Sequence, residues 1–221
     1  MSCWEIRIAT LIGAIVVGLT PPTTTAAEQP GLAIATLETL PVKGRAPKTG
    51  YSRDQFGQAW ADVNRNGCDT RNDILKRDLT AIIYKAGTRN CVVLSGTLLD
   101  RYSGESINFI RGNITSMEVQ IDHVVALSNA WQTGAFKLTA DQRKALANDP
   151  LNLFAVKGRL NSQKGDGDAA TWLPPLKSFR CAYVAQQIAV KAKYSLWVVP
   201  PEKAAMLTIL AKCPTQKVPV S

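Results

Sequence analysis

The stretch Val119–Leu127, which reads VQIDHVVAL, contains His123, the only histidine in the 221-residue chain. Apolar residues at 119 and 121 alternate with polar ones, which predicts a short β-strand that ends at Asp122 and His123. Asp122 can offer a hard oxygen ligand to a metal ion, and His123 can accept a proton near neutral pH. A histidine alone is more often a surface or core residue than a catalyst, so this pair needs support from elsewhere in the chain.

The composition indicates a globular protein that favours acidic partners. Hydrophobic residues make up 46% and charged residues 19% of the chain, which excludes a disordered or fibrous protein. The formal net charge is +9, a balance that attracts polyanions such as nucleic acids or acidic envelope polymers. The same charge could serve solubility alone, so it does not identify the partner.

Residues 1–27 have the layout of a secretory signal peptide. Arg7 precedes an apolar run, Ile8–Leu19, and the small residues Thr25-Ala26-Ala27 offer a cleavage site. A membrane anchor is the alternative, but a helix of this 12-residue run would span only about 18 Å of a roughly 30 Å hydrocarbon layer. We therefore expect a secreted, extracellular protein without stable membrane insertion after cleavage near Glu28.

Three further segments follow the signal. Residues 28–50 are rich in proline and glycine and are predicted to form a flexible linker. Residues 51–213 have the periodic patterns of a folded domain of the α+β class, with no internal repeat. Residues 214–221 are interpreted as a C-terminal tail.

Four cysteines remain after removal of the signal: Cys68, Cys91, Cys181 and Cys213. An even number in an exported protein predicts two disulfides, for which three connectivities exist. We favour Cys68–Cys91 and Cys181–Cys213, because each pairing closes a loop of a few tens of residues. A zinc site is the alternative, but the chain has no CxxC pair and only one histidine.

The apolar patterns place secondary structure around the central strand. A helix capped by Ser52 is expected to carry Phe56 and Trp60 on one face. Residues 91–99 and 106–111 are predicted to form a hairpin. The remaining predicted elements are a helix that reaches Trp131, a helix capped by Thr139, a buried strand at 151–156, a helix that ends near Gly165, and helices at 178–195 and 201–212.

Residues 62–73, DVNRNGCDTRND, allow two interpretations. Oxygen-bearing side chains at every second position and a glycine resemble a calcium-binding loop. Asp69, however, occupies a position that is usually apolar, and Asp73 stands where such loops have a longer glutamate. The alternative is a turn stabilised by Asp and Asn side chains. Asp69 would then be the N-cap of a following helix whose Leu75 and Leu79 side chains point into the core.

Three pieces of the sequence line up in order: Asp122-His123, then Asn152 in NDPLNL, then Asn161 and Lys164 in LNSQKGD. This arrangement resembles the His-Asn-His (HNH) endonucleases, which have a ββα-metal core. The similarity is greatest to members with asparagine as the third motif residue, and to small exported proteins related to the GmrSD restriction endonuclease C-terminal domain. It covers most of the chain from residue 51 to residue 213 and implies an HNH core with added helices.

The resemblance implies a role for each motif residue. His123 would be the general base that deprotonates water, and Asp122 and Asn161 would bind one divalent metal ion through oxygen. Asn152 would hydrogen-bond the loop that carries His123. An amide oxygen is a neutral ligand, which favours a hard cation, magnesium or manganese, over zinc.

Two basic residues are candidates for substrate binding. Lys164 lies three residues after Asn161 and would share its helix face, from which the resemblance implies a contact with phosphate. Arg71 could bind a second phosphate with its guanidinium group. A salt bridge from Arg71 to Asp69 or Asp73 is the structural alternative.

These observations favour a secreted, metal-dependent endonuclease that hydrolyses phosphodiester bonds of DNA, with RNA left open. No base-reading element is evident, so low sequence specificity is expected. The alternative is a non-catalytic surface module that binds DNA or acidic cell-envelope polymers. A third interpretation, a wall hydrolase using Asp166 and Asp168, is weaker because these carboxylates lie two apart in a glycine-rich loop.

Overall fold

The computed structural model describes Met1 and residues 31–112 and 115–219. Apart from Met1, the predicted signal peptide lies outside the described residues. Within those ranges, no helix combines the length and apolar character needed to cross a membrane.

The described residues form a mixed α+β structure. Its helices are α1 (Ala33–Thr39), α2 (Thr70–Asp78), α3 (Leu127–Gln132), α4 (Ala140–Asn148), α5 (Gly158–Lys164), α6 (Arg180–Lys193) and α7 (Pro200–Leu210). Its strands are β1 (Leu79–Tyr84), β2 (Val93–Leu99), β3 (Ser106–Ile110), β4 (Val119–His123) and β5 (Leu153–Lys157). The first three strands form one antiparallel sheet, in the order β1-β2-β3, and β4 pairs with β5 in another.

The central strand β4 confirms the prediction made from VQIDH. It pairs antiparallel with β5 in a register that places Asp122 opposite Phe154 and His123 opposite Leu153. Helix α5 begins directly after β5, which completes a ββα unit, and α3 and α4 are inserted between the two strands. At the β5–α5 junction, a Cβ on Gly158 would lie 1.9 Å from the Met117 carbonyl oxygen, so this position requires glycine.

The two faces of the β4–β5 pair pack against different parts of the protein. Val119 and Ile121 share a core with the three-stranded sheet and with α2, whose contributions include Ile74 and Leu75. The opposite face carries Phe154, Val156 and Val124 in a cluster with Leu160, Tyr102 and Tyr183. Both faces are therefore buried, which explains the nearly continuous apolar sequence of β5.

The region around α2 confirms one prediction and corrects another. Asp69 caps α2 by accepting a hydrogen bond from the Asn72 backbone N–H at 2.8 Å. The helix was expected to extend to Leu79, but it ends at Asp78, and Leu79 begins β1. Leu79 is still buried, so its apolar side chain was compatible with either a helix or a strand.

The helix predicted after Ser52 is wrong beyond its first turn. Only a 3-10 helix, Arg53–Phe56, forms, and Ser52 makes no side-chain cap. Gly57 and Trp60 adopt positive φ angles of 70° and 57°, which an α-helix cannot accommodate. Phe56 is buried as expected, because the chain turns it into the core beside α4.

The side chains of residues 62–73 are used in turns. The two Asp62 carboxylate oxygens accept hydrogen bonds from the Asn66 and Gly67 backbone N–H groups, at 3.1 and 2.9 Å. The Asn66 amide oxygen accepts from the Cys68 N–H at 2.7 Å. This geometry is that of the Asp- and Asn-stabilised turn that was the alternative to a calcium loop.

The prediction of a flexible linker at 28–50 and a separate tail at 214–221 is corrected for the residues described. Helix α1 packs against α6 and α7, with Ala33 and Leu37 fully buried. The Ala33 N–H donates to the Gln216 carbonyl, and the Val218 N–H donates to the Gly31 carbonyl. The segments around Ala33 and Val218 therefore pair with each other, a long-range contact that local proline and glycine content does not reveal.

Two disulfides join the four described cysteines in the favoured pairing. Cys68–Cys91 connects the turn before α2 to the start of β2, and Cys181–Cys213 connects α6 to the end of α7. They close segments of 23 and 32 residues. Such cross-links restrict the unfolded chain, which suits a small exported domain.

Replacing both Cys181 and Cys213 by serine should lower the free energy of unfolding by about 2–5 kcal/mol, because the unfolded chain regains loop entropy. Denaturant titration of the double variant and the parent protein measures the difference. Peptide mapping under non-reducing conditions provides the control. Recovery of four free thiols from the folded parent would contradict the disulfide assignment.

Candidate active site

The period of a β-strand places Asp122 and His123 on opposite faces of β4. Asp122 points to the face covered by α5 and Tyr102, whereas the His123 ring lies beside Trp60. Because β4 ends at His123, both side chains also line a pocket of about 290 Å³ at the strand end. The two neighbouring residues therefore have different surroundings but reach the same opening.

Asp122 is a buried carboxylate with two side-chain partners. Its Oδ1 accepts a hydrogen bond from Lys164 Nζ at 2.9 Å, and its Oδ2 accepts from the Tyr102 hydroxyl at 2.5 Å. The Lys164 ammonium also donates to the His123 carbonyl oxygen at 2.7 Å. Burial, with the nearby Asp122 charge, raises the pKa of Tyr102, so this phenol remains a neutral donor. These bonds hold the Asp122 carboxylate in one orientation.

The hydrogen bond of His123 defines its tautomer. Its Nε2 lies 2.9 Å from the Ala147 carbonyl oxygen, which can only accept. Nε2 must therefore carry the proton, and Nδ1 of the neutral ring keeps a free electron pair. The ring is nearly parallel to Trp60, with an interplanar angle of 16° and a centroid distance of 6.1 Å.

Burial lowers the pKa of His123 from 6.5 to about 4, against a smaller opposing effect of the Ala147 hydrogen bond. The positive charges of Arg53 and Lys164 also disfavour a protonated ring. At neutral pH, His123 is consequently a neutral imidazole that can accept a proton.

Asn152 connects the segments on either side of His123. Its Oδ1 accepts from the Val125 N–H at 2.8 Å, and its amide nitrogen donates to the Val125 and Leu146 carbonyls at 3.3 Å. Leu146 immediately precedes Ala147, whose carbonyl oxygen accepts the hydrogen bond from His123 Nε2. Asn152 thus holds both the loop after β4 and the end of α4 that orients the imidazole.

Asn161 lies on α5 and lines the same 290 Å³ pocket as Asp122, His123 and Asp166. Its amide nitrogen donates to the Gln120 side-chain oxygen at 2.8 Å. Among the described residues, the Asn161 amide oxygen has no hydrogen-bond donor, and it is the atom that a metal ion would use.

The donors in this pocket fit a hard cation. Within residues 31–112 and 115–219, no three His, Cys, Asp or Glu side chains form a group that could hold a metal ion. The available set is instead an Asp122 carboxylate, an Asn161 amide and a nearby Asp166 carboxylate, all of them oxygen donors. A carboxylate has about four acceptor positions, of which Asp122 uses two, and magnesium retains several waters and needs few protein ligands.

The two predicted substrate-binding residues are not presented to this pocket. The Lys164 side chain is 0% exposed and forms an ion pair with Asp122, so it does not offer its charge to a phosphate. Arg71 is half-buried on α2 and lines neither of the pockets that meet at His123. Its burial, and the nearby Arg111, lower the pKa of Arg71.

Several residues at the site were not identified from the sequence. Arg53 is exposed and lines both pockets next to His123. Tyr102 forms a hydrogen bond with Asp122, and Gln120 forms one with Asn161. The only sequence signal for Arg53 was a basic residue in a segment expected to be helical. Tyr102 lies in a hairpin loop, and its contact with Asp122 depends on the tertiary packing.

The burial of Lys164 leads to a stability prediction. Lys164→Met should lower the free energy of unfolding by about 3–5 kcal/mol, because it leaves the Asp122 charge buried without its partner. Lys48→Met is a matched control, since Lys48 pairs with Asp166 at the exposed rim, where an ion pair contributes at most about 1 kcal/mol. Equal and small effects in denaturant titrations of the two variants would mean that Lys164 is a surface residue.

The state of His123 can be measured directly, because the chain has no other histidine. The imidazole proton signals in NMR should titrate with a midpoint near the pKa of about 4 in the folded protein, and near 6.5 in denaturant. The preference for the neutral ring should stabilise the fold above pH 6.5 and be lost as pH falls from 6.5 towards 4. A folded-state midpoint at 6.5 or higher would contradict a desolvated ring.

Comparisons with known proteins identify the family of this chain. The family model of the C-terminal domain of GmrSD restriction endonucleases matches residues 69–209, which include the β4–β5–α5 unit. An uncharacterized secreted protein of Arthroderma benhamiae is 36% identical over 208 residues, which cover 92% of this chain and 97% of that protein. No solved structure matches the chain. The chain therefore belongs to the family of GmrSD restriction endonuclease C-terminal domains, which indicates a nuclease-related function.

Proposed function

We propose that the protein is a secreted, metal-dependent endonuclease of the HNH type that hydrolyses phosphodiester bonds in DNA with low sequence specificity. The observation that carries this proposal is the arrangement at the end of β4. His123, a neutral imidazole whose Nε2 is bonded to the Ala147 carbonyl oxygen, lines the same pocket as two residues with oxygen donors, Asp122 and Asn161. This arrangement supports an HNH-type ββα-metal core in the β4–β5–α5 unit.

His123 would act as the general base. Its Nε2 proton is committed to the Ala147 carbonyl, so Nδ1 is the atom that removes a proton from the attacking water. Asn152 would act as a positioning residue, because it holds the backbone on both sides of this hydrogen bond. Correct placement matters, since a displacement of about 1 Å can cost roughly 100-fold in rate.

Asp122 and Asn161 would hold a divalent metal ion, magnesium or manganese, which supplies charge stabilisation at the phosphate oxygens and the leaving oxygen when bound. Lys164 and Tyr102 would position the Asp122 carboxylate rather than contact the substrate. This reassigns Lys164 from phosphate binding to support of a metal ligand.

The exposed residue Arg53 would bind the substrate phosphate instead. It lines both pockets beside His123, and a guanidinium group can form paired hydrogen bonds with phosphate oxygens. Together with the net charge of +9, it would attract nucleic acid largely through the backbone. Contacts of this kind carry no sequence information, which is consistent with low specificity.

We also propose that the protein is exported. The secreted relative from Arthroderma benhamiae and the two disulfides support this location, because disulfides persist in oxidising surroundings. Cleavage of the signal peptide near Glu28 remains a prediction from the sequence.

Three substitutions test the assignment of roles in plasmid nicking with magnesium and with EDTA. His123→Ala should reduce the rate by about 10²–10⁴-fold, and excess metal should not restore it, because the lost group is a base. Asn161→Ala should instead raise the metal concentration that gives half-maximal activity, because one metal ligand is lost.

Asn161→Asp is the matched control, since its carboxylate keeps an oxygen ligand at the same position and should preserve activity at low metal concentration. Circular dichroism should confirm that each variant is folded. If His123→Ala nicks DNA as fast as the parent protein, the proposed base is wrong. If the parent binds DNA but never cleaves it with either metal, the non-catalytic binding module is the better account.

A further inference from the structure

A second pocket adjoins His123 on the side away from Asn161. This aromatic pocket, as we name it, has a volume of about 400 Å³, and the residues that line it include Arg53, Asp54, Trp60, His123, Leu127 and Asn148. A cavity of this size can hold a small organic group such as a nucleotide. It shares His123 and Arg53 with the pocket at the strand end, whereas the metal-donor residues Asp122 and Asn161 do not line it.

Trp60 is an aromatic residue that lines this pocket beside His123 and also packs against the core of the three-stranded sheet. Its side chain is only partly buried, and its ring is nearly parallel to that of His123. Its φ angle of 57° lies in the left-handed region, which a bulky residue rarely adopts. Such strained backbone positions are frequent at functional sites, although Arg65, Ala81, Arg89, Asn90 and Ser195 also have positive φ angles.

Asn148, one of the residues around the pocket, carries a buried acceptor. The residue is fully buried, and its amide nitrogen donates to the Lys144 and Gln58 carbonyl oxygens at 2.9 and 3.4 Å. Because both carbonyl oxygens accept from the amide nitrogen, they determine the orientation of the Asn148 amide. The other polar atom of the side chain is therefore the oxygen, Oδ1. Within the described part of the chain, Asn148 Oδ1 is buried and has no hydrogen-bond partner. A buried acceptor of this kind is costly unless a ligand or water donates to it.

We propose that the aromatic pocket binds one unstacked nucleobase of the substrate strand, beside the phosphate that faces His123. The base would stack on Trp60, and an N–H group of the base would donate to Asn148 Oδ1. This inference rests on the proposed nuclease function. Arg53 lines both pockets, so it lies where the phosphate between the base and the cleaved bond would pass.

The chemistry of the pocket would select for single-stranded nucleic acid but not for a particular base. Every nucleobase has an aromatic face and at least one N–H group, so a stacking ring and a single acceptor do not distinguish among bases. A base can enter only after it leaves the helical stack, which favours single-stranded substrates over intact duplexes. The pocket would therefore confer a preference for strand state without conferring sequence specificity.

The test combines a variant of the protein with a variant of the substrate. A short single-stranded DNA and copies with one abasic position, moved stepwise along the strand, are titrated with the protein in EDTA. Loss of the critical base should weaken binding to the parent protein about 10-fold. Trp60→Leu should bind the intact strand about 10-fold more weakly than the parent, and should not distinguish it from the abasic strand.

Two further variants separate stacking from folding. Trp60→Phe keeps an aromatic ring and should retain most of the parental discrimination against the abasic strand. Phe136→Leu removes another partly exposed aromatic ring that does not line the pocket, and it should behave as the parent does. Thermal denaturation should confirm that all three variants are folded.

The outcomes distinguish this inference from the proposed function. If no abasic position weakens binding to the parent, or if Trp60→Leu shows the same abasic effect as the parent, the nucleobase pocket is refuted, even when magnesium-dependent cleavage is observed. Base-dependent binding that is lost in Trp60→Leu supports the pocket, even when the strand is not cleaved, and the failure then lies with the proposed hydrolysis.

Discussion

The antiparallel pairing of β4 with β5 is the constraint on which the candidate site depends. Neighbouring residues in a strand point to opposite faces, so this pairing separates Asp122 from His123 although they are adjacent in the chain. A shift of β4 by one residue would exchange their surroundings and turn Val119 and Ile121 towards the face that packs on Tyr102. The burial of both faces therefore specifies the chemistry as well as the fold.

The two residues are stabilised in different ways as a result. Asp122 is buried and accepts hydrogen bonds from the Lys164 ammonium and the Tyr102 hydroxyl. His123 lies where protonation is unfavourable, and its one strong hydrogen bond is to a backbone carbonyl. A carboxylate paired with Lys164 and a neutral imidazole can thus be neighbours in the sequence, since the strand directs them into separate environments.

The inserted helices α3 and α4 contribute directly to the site. The end of α4 supplies the Ala147 carbonyl that sets the His123 tautomer, and it also supplies Asn148 to the aromatic pocket. Asn152, at the start of β5, bonds both the loop before α3 and the last turn of α4. The insertion between the strands is consequently part of the site's support.

The sequence by itself determined the local elements and the identity of the central residues. Period-two alternation predicted β4, and the Asp69 and Thr139 caps predicted the starts of α2 and α4. The even cysteine count predicted two disulfides, and the short loops favoured the observed pairing. These signals are local, or depend only on spacing, so they can be identified without knowledge of the fold.

Only the tertiary structure decided which side chains meet. The burial of Lys164, the contact of Tyr102 with Asp122 and the position of Arg53 between two pockets join residues far apart in the chain. The packing of residues 31–50 against α6 and α7 is of the same kind. Such contacts follow from how whole elements bury their apolar faces together, and a lysine or a proline-rich segment has the same local pattern whether it is buried or exposed.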